Sequence, residues 1–202
     1  MSKPVEINQS DKWIFGTMLA FGIVGLLASF VLSIEEIHLL KQPDAVLSCS
    51  INLVLNCATV MHSWQASVFG FPNMLIGLMA YPVVITTAVV ALAGGRLPRR
   101  YWIAAHICYG LGAIFAYWLF FNSLYDIQVL CPWCLIVTFS TTILFATITQ
   151  YMIRDNIYRL PKDINSKAQL YLKKDFGKLA VTSWIVLMIV LVILKFGEGL
   201  FS

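Results

Sequence analysis

Four of the five cysteines carry the chemistry worth asking about. Cys131 and Cys134 lie in "QVLCPWCLIV", at positions i and i+3, so on a helix they face the same way. Pro132 suits the first turn of a helix, where its missing N–H costs nothing. That puts Cys131 near an N-cap and both sulfurs at the positive end of a helix dipole, which favours thiolate, the attacking species in disulfide exchange. The plainer reading of this pair is an inert disulfide capping a helix. Cys49 and Cys57 bracket "CSINLVLNC". They can close a small static ring, or part and exchange with another pair. A zinc site built from all four is a third possibility, although only CxxC has the short spacing such sites use. Cys108 lies inside an apolar run and reads as a small packing residue. His38 and His106 read as packing or interface residues, and His62, beside Ser63, is given no role.

What must position these side chains is a membrane bundle. The chain is 59% hydrophobic and 12% charged, with a mean hydropathy of +0.80. A soluble domain is typically about 45–50% apolar and about 25% charged. A bilayer core needs roughly 20 apolar residues per helix, and five runs qualify: Trp13–Ile34, Pro72–Ala93, Tyr101–Leu124, Pro132–Ile153 and Leu179–Phe196. The first exceeds the usual length of a signal-peptide core and reads as a retained helix. Lys3 and Lys12, the loop "GGRLPRR", and the bases between Arg154 and Lys178 then share one side. Of the 14 Lys and Arg residues, only Lys41 and Lys195 fall on the other. The positive-inside rule makes the basic side cytoplasmic, with the N-terminus inside and the C-terminus outside a cell (plasma) membrane. The net charge of +4 is explained by these loops and calls for no nucleic-acid partner.

The connectors carry further signals. Gly94 and Gly95 end one span and Pro98 prevents its continuation. Arg154–Lys178 is either a solvated basic linker or contains an amphipathic helix around Ile164–Phe176. Within the long loop Glu35–Phe71, the stretch Asn56–Phe69 is apolar enough for a short interfacial helix, with Trp64 and Phe69 at headgroup level. Four cysteines thus collect on the outer, oxidising face. A pair beside the bilayer needs an electron acceptor, and a lipid-soluble quinone can approach through the hydrocarbon.

Three stretches in order, "CSINLVLNC", "SWQASVFGFPNMLIGLMAY" and "CPWC", resemble the bacterial branch of the vitamin K epoxide reductase family, over roughly Trp13 to Ile153. The quinone-linked oxidase that recharges DsbA places its helix-end CxxC first in the chain; here the order is reversed. The resemblance implies an all-α polytopic fold, a four-helix bundle around a quinone (menaquinone or ubiquinone) plus a fifth transmembrane helix. It divides the chain into a catalytic region 1–153 with outer cysteine loop 35–71, a cytoplasmic basic linker 154–178, and a fifth helix with an outer C-terminus 179–202. It implies that Cys134 reacts with quinone, that Cys131 exchanges with Cys57, and that Cys49 faces an external thiol protein. Asn73 matches an asparagine that donates to a quinone carbonyl, and Ser63 a family serine. Bland readings remain for both: Asn73 as an N-cap-region residue, Ser63 in a local backbone hydrogen bond. Ser50 stands where the family often has Asp, and Thr138 where animal members carry Tyr. Many bacterial relatives continue into an external thioredoxin-like domain, whereas this chain stops at Ser202. The expectation is therefore a separate thioredoxin-fold (DsbA-like) partner.

The resulting expectation is a membrane thiol:quinone oxidoreductase supporting disulfide formation, with no metal. Alternatives are reduction of a quinone or quinone epoxide for its own sake, or a non-catalytic membrane scaffold with static disulfides.

Overall fold

The computed structural model describes residues 9–43, 47–173 and 176–200. Lys3 and Ser202, both used above, lie outside the described residues. The protein is all-α, with five helices long and apolar enough to cross a membrane: α1 (Gln9–Lys41), α3 (Met74–Leu92), α4 (Arg99–Asn122), α5 (Pro132–Arg154) and α7 (Phe176–Leu200). It is a multi-pass membrane protein. Two shorter helices, α2 (Cys57–Met61) and α6 (Lys162–Lys173), lie in the connectors.

Each span has a sequence reason to start or stop. α1 continues past Ile34 to Lys41, further than the hydropathy run, because Glu35–Lys41 contains no breaker. It stops just before Gln42–Pro43, and a residue preceding proline is turned away from helix. Its buried residues Met18, Gly22, Gly25, Ser29, Leu32 and Leu39 recur at helical spacing and form one face. Between α3 and α4, Gly94 takes a left-handed φ of 80°, which glycine adopts without a Cβ penalty. Pro98 is the N-cap of α4. The apolar stretch 56–69 breaks in two, α2 and a single 3-10 turn at Trp64–Ser67, with His62 and Ser63 between. Trp64 and Phe69 are exposed. Within 154–178 the chain forms α6, whose Gln169 donates to the Ile153 and Arg154 carbonyls at 3.0 and 2.8 Å and so caps α5.

α1 packs against α3 and α5, and α5 against α4; α3 and α4 scarcely touch. The α1–α3 approach is close because small residues meet there. A Cβ on Gly25 would fall 2.2 Å from the Tyr81 ring, and one on Gly77 2.2 Å from Ser29 Oγ. α7 lies on the outside of this bundle, where Met188 and Phe196 join Phe120, Leu124 and Leu130 in an apolar cluster. Trp184 Nε1 donates to Tyr117 OH at 2.8 Å. At the end away from the cysteine pairs, Arg154 bridges Asp11, Ser10 and Asp155.

Candidate active site

Four cysteines meet at one end of the bundle, and a pair of backbone hydrogen bonds sets their register. The Leu130 N–H donates to Val54 O at 2.8 Å, and the Asn56 N–H donates to Leu130 O at 3.0 Å. This makes a short parallel bridge between Leu55 and Leu130. Cys57 follows Leu55 by two residues and Cys131 follows Leu130 by one, so the bridge delivers both to the same spot. Asn56 N-caps α2 by accepting from the Thr59 N–H at 3.2 Å, and Ser50 Oγ donates to the same oxygen at 3.0 Å. Ser48, just ahead of Cys49, is anchored by donating to the buried Glu35 carboxylate of α1.

Cys49 and Cys57 form a disulfide, and Cys131 Sγ lies 3.3 Å from Cys57 Sγ. Cys131 and Cys134 are free thiols. With Cys49 and Cys57 joined, the four thiolates of a zinc site are not assembled. Cys131 is the N-cap of α5, Pro132 occupies its first turn, and Cys131 Sγ accepts from the Cys134 N–H at 3.3 Å. Hydrogen bonding from the Cys134 side chain holds the Cys131 thiol below its ordinary value. Burial opposes that shift, and the backbone N–H groups of Cys134 and Trp133 reinforce it. The sulfur chain is hidden: Cys49, Cys57 and Cys131 are 4%, 0% and 2% exposed. They share an apolar cluster with Leu32, Leu39 and Leu47.

Beneath them, between α3 and α4, lies a cavity of about 450 Å³. Cys131, Cys134, Ser63, Asn73 and Thr138 all line it; Cys49 and Cys57 do not. Asn73 is the N-cap residue of α3, but its side chain makes no capping hydrogen bond. Its Nδ2 donates instead to Gln65 O at 2.6 Å, and its buried Oδ1 has no partner among the described residues. Ser63 Oγ makes the local bond, donating to Val60 O at 2.6 Å. Thr138 donates to the Cys134 carbonyl at 2.9 Å. Cys108 lines the same cavity as a free thiol. His106 is held between Tyr158 and Thr149 and stacks on Phe145, a packing position.

The sequence reading passed over Gln65, Asp126 and Glu35. Gln65 is 2% exposed, lines the cavity, and donates to Asp126 across 61 residues. The signal was available for Gln65, a lone amide inside the apolar run "SWQASVF". None existed for Asp126, whose partner is distant in the chain.

The cavity walls are overwhelmingly aliphatic and aromatic, with a cysteine pair and an amide carrying an unpartnered oxygen among them. Those features fit a quinone, a flat apolar ring whose carbonyl oxygens accept from an N–H and whose reduced form donates to an amide oxygen. The model of the vitamin K epoxide reductase family matches residues 17–149, about two thirds of the chain and all of the site. No curated protein matches the chain. The chain therefore belongs to the vitamin K epoxide reductase family, membrane oxidoreductases that couple cysteine thiols to a quinone.

Proposed function

We propose that the protein is a thiol:quinone oxidoreductase that reoxidises an external thioredoxin-fold (DsbA-like) protein. The observation that carries this reading is the 3.3 Å approach of Cys131 Sγ to Cys57 Sγ, with Cys134 on the cavity wall. The positive-inside distribution of Lys and Arg supports an outer-face site in the plasma membrane. It also supports the division into a catalytic region 1–153, a cytoplasmic linker 154–178 and a fifth helix beyond.

The chemistry runs by exchange. A partner thiolate attacks Cys49 Sγ and Cys57 leaves; the partner's second thiolate then takes the first, leaving the Cys49–Cys57 dithiol and an oxidised partner. Cys57 thiolate attacks Cys131 of a Cys131–Cys134 disulfide, and Cys134 leaves. Cys49 thiolate then attacks Cys57, and Cys131 leaves. A thiol with a lowered pKa is the faster leaving group, and Cys131 is the cysteine so tuned. The end point is a Cys49–Cys57 disulfide with free Cys131 and Cys134, which is the pairing present here. A bound quinone, menaquinone or ubiquinone, would accept the two electrons and two protons of that dithiol. Asn73 and Ser63 would hold it, Asn73 by donating the second amide hydrogen that Gln65 leaves free, while its amide oxygen would accept from a hydroxyl of the reduced quinol. Because Cys49 is buried, the first attack needs the segment around it to lift from Glu35 and from the cluster it shares with Leu32 and Leu39.

The test replaces Cys134 by Ala, so that Cys131 attacks Cys57 and nothing resolves the product on the α5 side. Mass spectrometry after alkylation of Cys49 should find a Cys57–Cys131 bond. Recovery of the Cys49–Cys57 bond alone, under every redox condition, would overturn the relay.

A further inference from the structure

Gln65 holds two parts of the site with its two ends. Its main-chain carbonyl accepts from Asn73 Nδ2, at the start of α3. Its side-chain amide donates to Asp126 Oδ2. Asp126 belongs to a π-helical turn, Ser123–Ile127, that extends α4 and leads into the bridge before Cys131. The location matters because α3 and α4 are the bundle helices that scarcely touch, with the cavity between them. Gln65 is buried, so an amide without its acceptor would be stranded away from water. The pair therefore ties the start of α3 to the extension of α4 across the cavity at the cysteine end.

We propose that Gln65 and Asp126 are positioning residues that keep Asn73 and the Cys131–Cys134 pair in register across the cavity. The proposal rests on the quinone reading of that cavity and adds what fixes the ring's place relative to Cys134. It separates two steps. Loosening the pair misplaces an acceptor held at Asn73, while exchange between Cys57 and Cys131 continues, since the Leu55–Leu130 bridge sets that contact.

Gln65→Glu sets two carboxylates against each other. Adding Asp126→Asn restores an amide–carboxylate pair with the roles reversed. The full chain in detergent is assayed with dithiothreitol as donor and with menadione and a short-chain ubiquinone as acceptors. Gln65→Glu should lower kcat/KM for quinone by about tenfold, the size of one charge-assisted hydrogen bond. The yield of the Cys57–Cys131 bond, in a Cys134→Ala background, should be unchanged. Gln65→Glu/Asp126→Asn should recover quinone turnover to within about threefold of the unsubstituted chain, well inside the tenfold loss. An undiminished single variant, a double variant no better than the single, or equal loss of quinone turnover and Cys57–Cys131 bond would overturn the proposal. Absence of quinone turnover in the unsubstituted chain would overturn the underlying reading instead.

Discussion

Cys131 touches chemistry on two sides. Cys57 Sγ lies against it from the loop, and the Cys134 side chain and backbone amide donate to it from α5. In the proposed relay these contacts would give the residue two duties, acceptor of the incoming thiolate and leaving group afterwards. Cys57→Ala removes the loop sulfur that lies against Cys131 and should abolish quinone-dependent oxidation of a thiol donor, read as loss of quinol formation. The tuning has its own test. The donor from Cys134 is the largest cause lowering Cys131, so Cys134→Ala should move the Cys131 titration to higher pH. Ultraviolet thiolate absorbance of chains lacking Cys49, Cys57 and Cys108, with Cys134 either present or replaced by Ala, would show it, and an unchanged midpoint would refute it. Because the folded-state pKa of Cys131 lies below the unfolded one, its thiolate contributes stability above the unfolded value that is lost as pH falls through the folded one.

Among the elements, the bridge between Leu55 and Leu130 has an effect out of proportion to its length. It joins two segments whose cysteines are 74 residues apart. Leu130→Pro deletes the N–H that donates to Val54 O. The Cys57–Cys131 bond trapped in the Cys134→Ala background should then fall to a minor fraction, measured by mass spectrometry. The α1–α3 seam gives a second prediction. Gly25→Val forces the Tyr81 ring aside and breaks its bonds to Val137 O and Thr141 Oγ1. Overpacking of this kind costs about 1–3 kcal/mol. Thermal unfolding in detergent should register it, whereas Gly16→Ala, with nothing within 4 Å of the added Cβ, should not destabilise.

For the whole molecule, the basic loops predict that the sulfurs face the outer side of the membrane, and labelling tests it. A single cysteine at Leu53→Cys should react with an impermeant maleimide from outside intact cells, and one at Arg96→Cys only after permeabilisation. The reverse pattern would invert the proposed topology and remove access for an external thiol protein.

Much of this architecture was readable along the chain. Five runs of about 20 apolar residues are local facts, since the bilayer acts on each helix separately. So is the N-cap geometry of Cys131 and Pro132, which depends on four consecutive residues. The extension of α1 to Lys41 was missed because hydropathy marks where lipid ends, not where hydrogen-bonded helix ends. The family resemblance pointed to Cys57 with Cys131, and what only the tertiary structure decided was that Gln65 meets Asp126 and Asn73 the Gln65 carbonyl. These pairs are separated in the chain and joined by packing and by hydrogen bonds between connectors. No periodicity or spacing along the sequence encodes a contact made only when distant elements close on one another.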